Sequence, residues 1–333
     1  MGRLKMLAVL SLGMFGLAQS QPQTAPGIST TDRVRIREAY RLASQFGDRV
    51  WPTWHDAPFA FLLVTSEYEY LIHHGNPTAD FTRLEADTLL GGPVFYRKRV
   101  FGAGMQATFP AVNGVNTIVL GQAENTSDKS STRWVLTGLH EHFHQLVYSQ
   151  PGYYADVTKL GLAHGDDTGM WMLNYPFPYD STRVQEKFSA MTHALLAALA
   201  QTVPADLKKK VAAYRRAARE FRESVPAEAE RYFAFQLWQE GVARYTELML
   251  GELAARGGAP LPEFSALPDF AGYGAVAAQM RTKILSDLGS LSLAKSRREV
   301  VYSVGAAQAL LLDRVTPGWK REYLKHRFRL PEP

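Results

Sequence analysis

Thr137-Gly138-Leu139-His140-Glu141-His142-Phe143-His144-Gln145-Leu146 is the stretch around which the rest of the chain is organised. It contains His140-Glu141-x-x-His144. On a helix, residues four apart lie about 40° apart around the axis and one turn apart, so two imidazoles can reach one metal ion from a rigid support. Glu141 then stands beside the ion's open position, where a carboxylate can take a proton from bound water. His142 points about 200° away and is not counted as a ligand. Trp134, Val135, Leu136, Leu139, Phe143, Leu146 and Val147 are apolar all round the helical period, which predicts a buried helix over about 131–148. Buried histidines need partners, so the alternative to a metal is a pair of core histidines with ordinary hydrogen bonds.

Before this helix, five runs at 59–65, 68–72, 94–101, 105–112 and 116–121 have strand composition, with Asn113-Gly114 as a turn signal between the last two. They predict a small, mostly antiparallel sheet of about four or five strands. The polar residues 124–131 are expected to cap the motif helix. Farther upstream, Thr31 or Asp32 is expected to cap a helix running to about Phe46. After the motif helix, residues 149–180 are rich in Gly, Pro, Tyr and Asp and read as a long irregular wall. Helices are then predicted over about 181–200, 204–224, 226–255, 275–288 and 297–315, the second and third beginning at a proline.

The chain has 333 residues, 46% hydrophobic and 21% charged, which is ordinary for a globular protein with a sizeable core. Its net charge of +5 is too mild to imply nucleic acid, and Lys208-Lys209-Lys210 reads as a solvated helix face. Two of those charges, Arg3 and Lys5, open a segment at 1–20 that reads as a secretory signal peptide: an apolar run follows, and then Ala18-Gln19-Ser20 offers small residues for cleavage. No second stretch is long enough to cross a bilayer, so no stable membrane insertion is expected after signal removal. Cysteine is absent. An exported chain without disulfides fits a secreted or periplasmic enzyme of a bacterial envelope. The expected organisation is the leader at 1–20, an α/β lobe at 21–128 and a metal-binding helical lobe at 129–333.

Two histidines do not complete a catalytic metal site, since three protein ligands plus water are usual. The predicted ligand helix, about 227–255, carries Trp238-Gln239-Glu240-Gly241-Val242-Ala243-Arg244-Tyr245-Thr246-Glu247. With the motif helix, this segment resembles the gluzincin metallopeptidases, and it is close to the Asn-Glu-Gly-x-Ala-x-Tyr pattern of the zinc aminopeptidases. The resemblance implies one Zn2+ per chain held by His140, His144 and Glu240, with Glu141 as general base. Glu240 and Glu247 are seven apart and share a helix face within about 20°, which places Glu247 to accept the free N–H of a ligating histidine. Tyr302-Ser303-Val304-Gly305 resembles the Tyr-x-x-Gly segment of many gluzincins, which implies that Tyr302 steadies an oxyanion. Gly305 would let its helix pack closely on another. The chain departs from the aminopeptidases at Gln239, in the long gap between His144 and Glu240, and in lacking a Gly-x-Met-x-Asn segment, so their exopeptidase specificity is not implied. His164, Asp166 and Asp167 stand as a rival source of the third ligand.

The expectation is therefore an α+β, zincin-like fold: a small, mostly antiparallel sheet lobe followed by a predominantly helical lobe, with a cleft between them. The strand near 116–121 is expected at the sheet edge, where it could pair with an extended peptide. The expected function is zinc-dependent hydrolysis of a peptide or protein substrate outside the cytoplasm. The alternatives are a non-peptidase zinc hydrolase on the same site and a non-catalytic exported binding protein.

Overall fold

Ser29, rather than Thr31 or Asp32, caps the first helix, α1 (Thr30–Val50): its Oγ accepts from the Asp32 N–H at 3.0 Å. A serine hydroxyl there satisfies one of the helix's unpaired N–H groups. The computed structural model describes residues 26–333, so the expected leader at 1–20 lies outside the described residues.

Six strands follow: β1 (Phe61–Val64), β2 (Tyr68–Ile72), β3 (Thr82–Arg83), β4 (Val94–Lys98), β5 (Gln106–Val112) and β6 (Val115–Gly121). They form one mixed sheet in the order β3-β4-β2-β1-β6-β5, and the β1–β6 pair is its parallel one. The sheet is thus mostly antiparallel, with the two-residue β3 beyond the expected count. Side chains alternate across it. Phe61, Leu63, Ile118 and Leu120 enter the main core, whereas Leu62, Val64 and Val119 enter a smaller cluster on the opposite face.

One expectation is corrected. The strand near 116–121 is not an edge: β6 lies between β1 and β5. Asn113 and Gly114 both take positive φ, as a two-residue hairpin turn demands, and fold β5 back along β6. The edge on this side is therefore β5, where the register shifts between Phe109 and Val112 around Pro110. Proline has no N–H to give, which suits an edge position.

The motif helix, α2 (Ser131–Tyr148), is buried except at Arg133, Thr137 and Tyr148. It is fastened to the sheet at both ends. Trp134 Nε1 donates to Gly121 O at 2.6 Å, and Gln145 Nε2 donates to Ala60 O at 2.8 Å and Asn116 O at 2.9 Å. The polar loop before α2 does not cap it through a side chain. Asp269, from far along the chain, accepts instead from the Ser131 N–H at 2.8 Å and from the Ser131 hydroxyl at 2.7 Å. A carboxylate near a helix N-terminus also meets the positive end of the helix dipole.

The stretch expected to be irregular after α2 contains two short helices, α3 (Tyr153–Lys159) and α4 (Trp171–Asn174). Helices α5 (Thr182–Leu199) and α6 (Pro204–Glu223) pack on each other. The ligand helix begins as α7 (Ala227–Gln236), passes through a π-helical turn at Leu237–Gly241 and continues as α8 (Val242–Gly257). Then come α9 (Pro262–Ser265), α10 (Tyr273–Ser290), α11 (Leu293–Ser296), α12 (Val300–Val315) and α13 (Trp319–Tyr323). Helix α8 packs on α2, α10 and α12, and one continuous apolar core joins α1, the sheet, α2 and these helices. Lys208, Lys209 and Lys210 are exposed, as expected. No helix among the described residues is long and apolar enough to cross a membrane.

Two glycines set the closest approach. A Cβ on Gly241 would lie 2.4 Å from Gly305 Cα, and one on Gly305 would lie 2.6 Å from both Gly241 Cα and Leu237 O. The obstructing atoms are backbone, so they cannot rotate away. Gly305→Ala should therefore force α12 off the π-helical turn and destabilise the protein by about 1–3 kcal/mol, the range for overpacked cores. Urea unfolding of the variant beside wild type reads this directly.

Candidate metal centre

Helix α2 carries His140 and His144 one turn apart, and the π-helical turn carries Glu240 opposite them. The ligand-capable atoms form a nearly equilateral triangle: His140 Nε2 to His144 Nε2 is 3.3 Å, His144 Nε2 to Glu240 Oε2 is 3.4 Å, and His140 Nε2 to Glu240 Oε2 is 3.6 Å. A tetrahedral ion with bonds of about 2.0–2.1 Å holds its ligand atoms about 3.3–3.4 Å apart. The three buried side chains therefore fit a small divalent ion, and they are the group of this kind among the described residues.

Charge around the triangle is balanced residue by residue. Burial pushes the Glu240 carboxyl upward, but His144, His140 and Arg298 outweigh it and hold the group well below the usual carboxylate range. Arg298 Nη2 donates to Glu240 Oε1 at 2.9 Å, which leaves Oε2 to face the histidines. Glu247 lies on the other side of His140, with Oε2 3.6 Å from Nδ1. Burial raises its carboxyl too, but Arg244, Arg133 and His140 bring it down to about 2. His140 is thus flanked by a carboxylate at each ring nitrogen. Burial alone would lower its pKa, and the contacts with Glu240 and Glu247 overcome this and raise it to about 9. His144 stacks on Tyr148 with ring centroids 5.5 Å apart, and its Nδ1 is buried without a protein partner.

Glu141 faces β5. Because β5 alternates, Thr108 points toward α2 while Phe109 packs in the opposite cluster. The Thr108 hydroxyl lies 2.9 Å from both Glu141 Oε2 and the Glu141 carbonyl oxygen, and its single proton serves one of them at a time. Tyr302 is also brought to the site, its ring centroid 6.2 Å from that of His140. Arg298 Nη1 donates to the Tyr302 oxygen at 3.1 Å, so the phenolic proton remains free to be donated elsewhere. Burial and Glu240 raise the tyrosine's pKa, keeping it a neutral hydroxyl.

His142 is on the opposite side, stacked on Phe59 at 3.8 Å, with Nδ1 2.7 Å from Gln145 Oε1. Burial lowers its pKa to about 4. The rival ligands do not join the centre. His164 pairs with Glu228, Asp166 accepts from the Thr168 N–H at 2.8 Å and the Trp171 N–H at 2.6 Å, and Asp167 is exposed.

Thr108, Arg133, Arg244 and Arg298 escaped the sequence reading. Arg244 lies four after Glu240 and three before Glu247, and Arg133 lies seven before His140, so helical spacing alone puts each on the ligand face. Arg298 precedes Tyr302 by four. Thr108 has no such signal, because its position depends on which strand forms the edge. Comparison with family models, with curated proteins and with solved structures gave no match for the chain.

Two outcomes follow from this geometry. In the metal-free protein His140 is protonated below about pH 9, so a metal must displace that proton. Metal affinity should therefore rise with pH by up to about tenfold per unit between about pH 6 and 8, as read by chelator competition. Arg298→Gln removes the partner of Glu240 Oε1 and should weaken the metal by about 10–100-fold in the same assay.

Proposed function

We propose that the protein is an exported zinc-dependent metallopeptidase of the gluzincin type, with a zincin-like arrangement of sheet, motif helix and ligand helix. The observation that carries this reading is the triangle of His140, His144 and Glu240, with edges of 3.3, 3.4 and 3.6 Å, on a helix whose intervening residue is Glu141. Two imidazoles and one carboxylate are a usual donor set for catalytic zinc. The leader-like composition of residues 1–20, a basic start followed by an apolar run, supports export.

When zinc is bound, the chemistry it supplies is Lewis-acid activation of water and of a carbonyl. Glu141 takes the water's proton and passes it to the leaving amine. The Thr108 hydroxyl steadies Glu141 Oε2 without neutralising it. Tyr302, still protonated, would donate a hydrogen bond from its free hydroxyl to the oxygen that gains charge as the carbonyl becomes tetrahedral. Arg298 and Glu247 act through other groups: one fixes Glu240, and the other orients His140 through Nδ1.

Helix α2 also supports a cleft along this face. Its less buried positions, Arg133, Thr137 and Tyr148, fall on the same stripe as His140 and His144. The edge of β5 borders that stripe through Thr108, and an edge strand can pair with an extended peptide. This favours peptide over ester substrates.

The test joins metal content to activity. Purified protein should carry about one zinc per chain, lost in Glu240→Ala and kept in Asp166→Ala. Glu141→Gln should keep zinc while hydrolysis of a mixed peptide library falls by about 10²–10⁴-fold. Full activity in Glu141→Gln would sink the mechanism, and a zinc-free wild type after supplementation would sink the metalloenzyme.

A further inference from the structure

Beside the metal centre lies a cavity of about 470 Å³ between α2, α8, α10 and α12. Tyr302 borders it next to His140, and Arg133 and Arg244 project from α2 and α8. Val276, Met280 and Ile284 of α10 form an apolar wall.

The two arginines converge on one buried carboxylate. Arg244 Nη1 donates to Glu247 Oε2 at 2.7 Å. Arg133 Nη1 lies 2.9 Å from Glu247 Oε1, close enough for strong attraction but off the line of a hydrogen bond. Asp128, 3.7 Å from Arg133, is a second, more distant acidic neighbour. The remaining nitrogens of Arg244 make no hydrogen bond among the described residues, and about a quarter of each arginine side chain stays accessible, 25% and 28%. Farther out, the charges answer one another. Lys283 pairs with Asp287 at 3.1 Å, Ser303 donates to Asp287 at 2.6 Å, and Glu299 lies 3.8 Å from Arg298. The accessible guanidinium surface of Arg133 and Arg244 therefore lies at the end of the cavity nearest the metal centre. Guanidinium groups with free donors recognise carboxylates better than any neutral group.

We propose that this cavity is a substrate subsite in which Arg133 and Arg244 hold a carboxylate flanking the scissile bond, with the α10 wall packing its apolar part. The carboxylate is either a free C-terminus or an acidic side chain. The proposal rests on the metallohydrolase reading of the adjacent centre.

Three hydroxamate peptides of equal length test it on zinc-loaded protein by calorimetry. One ends in a free acid, one in the corresponding amide, and one in the amide with glutamate in the final position. The hydroxamate anchors each at the metal, so binding is read without turnover. At least one acidic probe should bind about tenfold tighter than the neutral amide, and whichever does identifies the source of the carboxylate. In Arg244→Gln the acid-to-amide ratio should fall toward one, whatever happens to the amide itself. Arg244→Lys, which keeps the charge, should retain part of it and guards against a misfolded glutamine variant. Equal binding of acid and amide, or no binding to metal-loaded protein, overturns the subsite. Wild-type protein that takes up no metal overturns the metallohydrolase reading, and the subsite with it.

Discussion

The centre of this protein depends on balancing buried charge. A carboxylate or guanidinium removed from water costs several kcal/mol unless a partner replaces its hydration. Here the charges alternate through the interior: Arg133 and Arg244 flank Glu247, Glu247 faces His140, His140 faces Glu240, and Glu240 is held by Arg298. Each anion has a cation on either side. A proton on His140 and a metal between the histidines fill the same electrostatic place, so the frame that welcomes an ion also tolerates its loss.

Backbone packing supports this balance. Glu240 lies in the π-helical turn between α7 and α8, next to Gly241, where α12 crosses at backbone contact through Gly305. The same crossing brings α12 to the site, and with it Tyr302 and the preceding Arg298. The ligand helix, the oxyanion candidate and the cation that joins them are thus set by one contact between two glycines. π-Helical turns inside α-helices are rare and recur at functional sites. The turn here is packed against α12.

Access follows from burial. On α2 nearly every side chain is enclosed, and the exceptions lie on the stripe that bears the histidines. The sheet contributes its β5 edge, and Thr108 carries the contact to Glu141. Toward the start of α2 the stripe meets the arginine-lined cavity, and toward its end it meets Tyr148, Tyr153 and Tyr154, whose rings pack together. The proposed cleft is therefore lined by arginines at one end and by aromatic rings at the other.

Local pattern carried much of this. The apolar period around residues 131–148 located the motif helix, and the four-residue spacing of His140 and His144 put both on one face. Glu240 was singled out by the resemblance of its segment to a known metal-ligand pattern, Glu247 by its seven-residue spacing from Glu240, and Gly305 by the close helix packing that a glycine allows. Those are properties of neighbouring residues and of helical geometry, which sequence by itself determines. Long-range pairing was decided only by the tertiary structure. A strand's composition does not say who its neighbours are, so β6 was taken for an edge and Thr108 was missed. A helix start does not reveal a cap from 138 residues away, as Asp269 supplies to Ser131. Arg298 carries no local signal of its partner, and only packing sets it against Glu240. Such contacts depend on which elements meet, and that is settled by the sum of burial over the whole core rather than by any one segment.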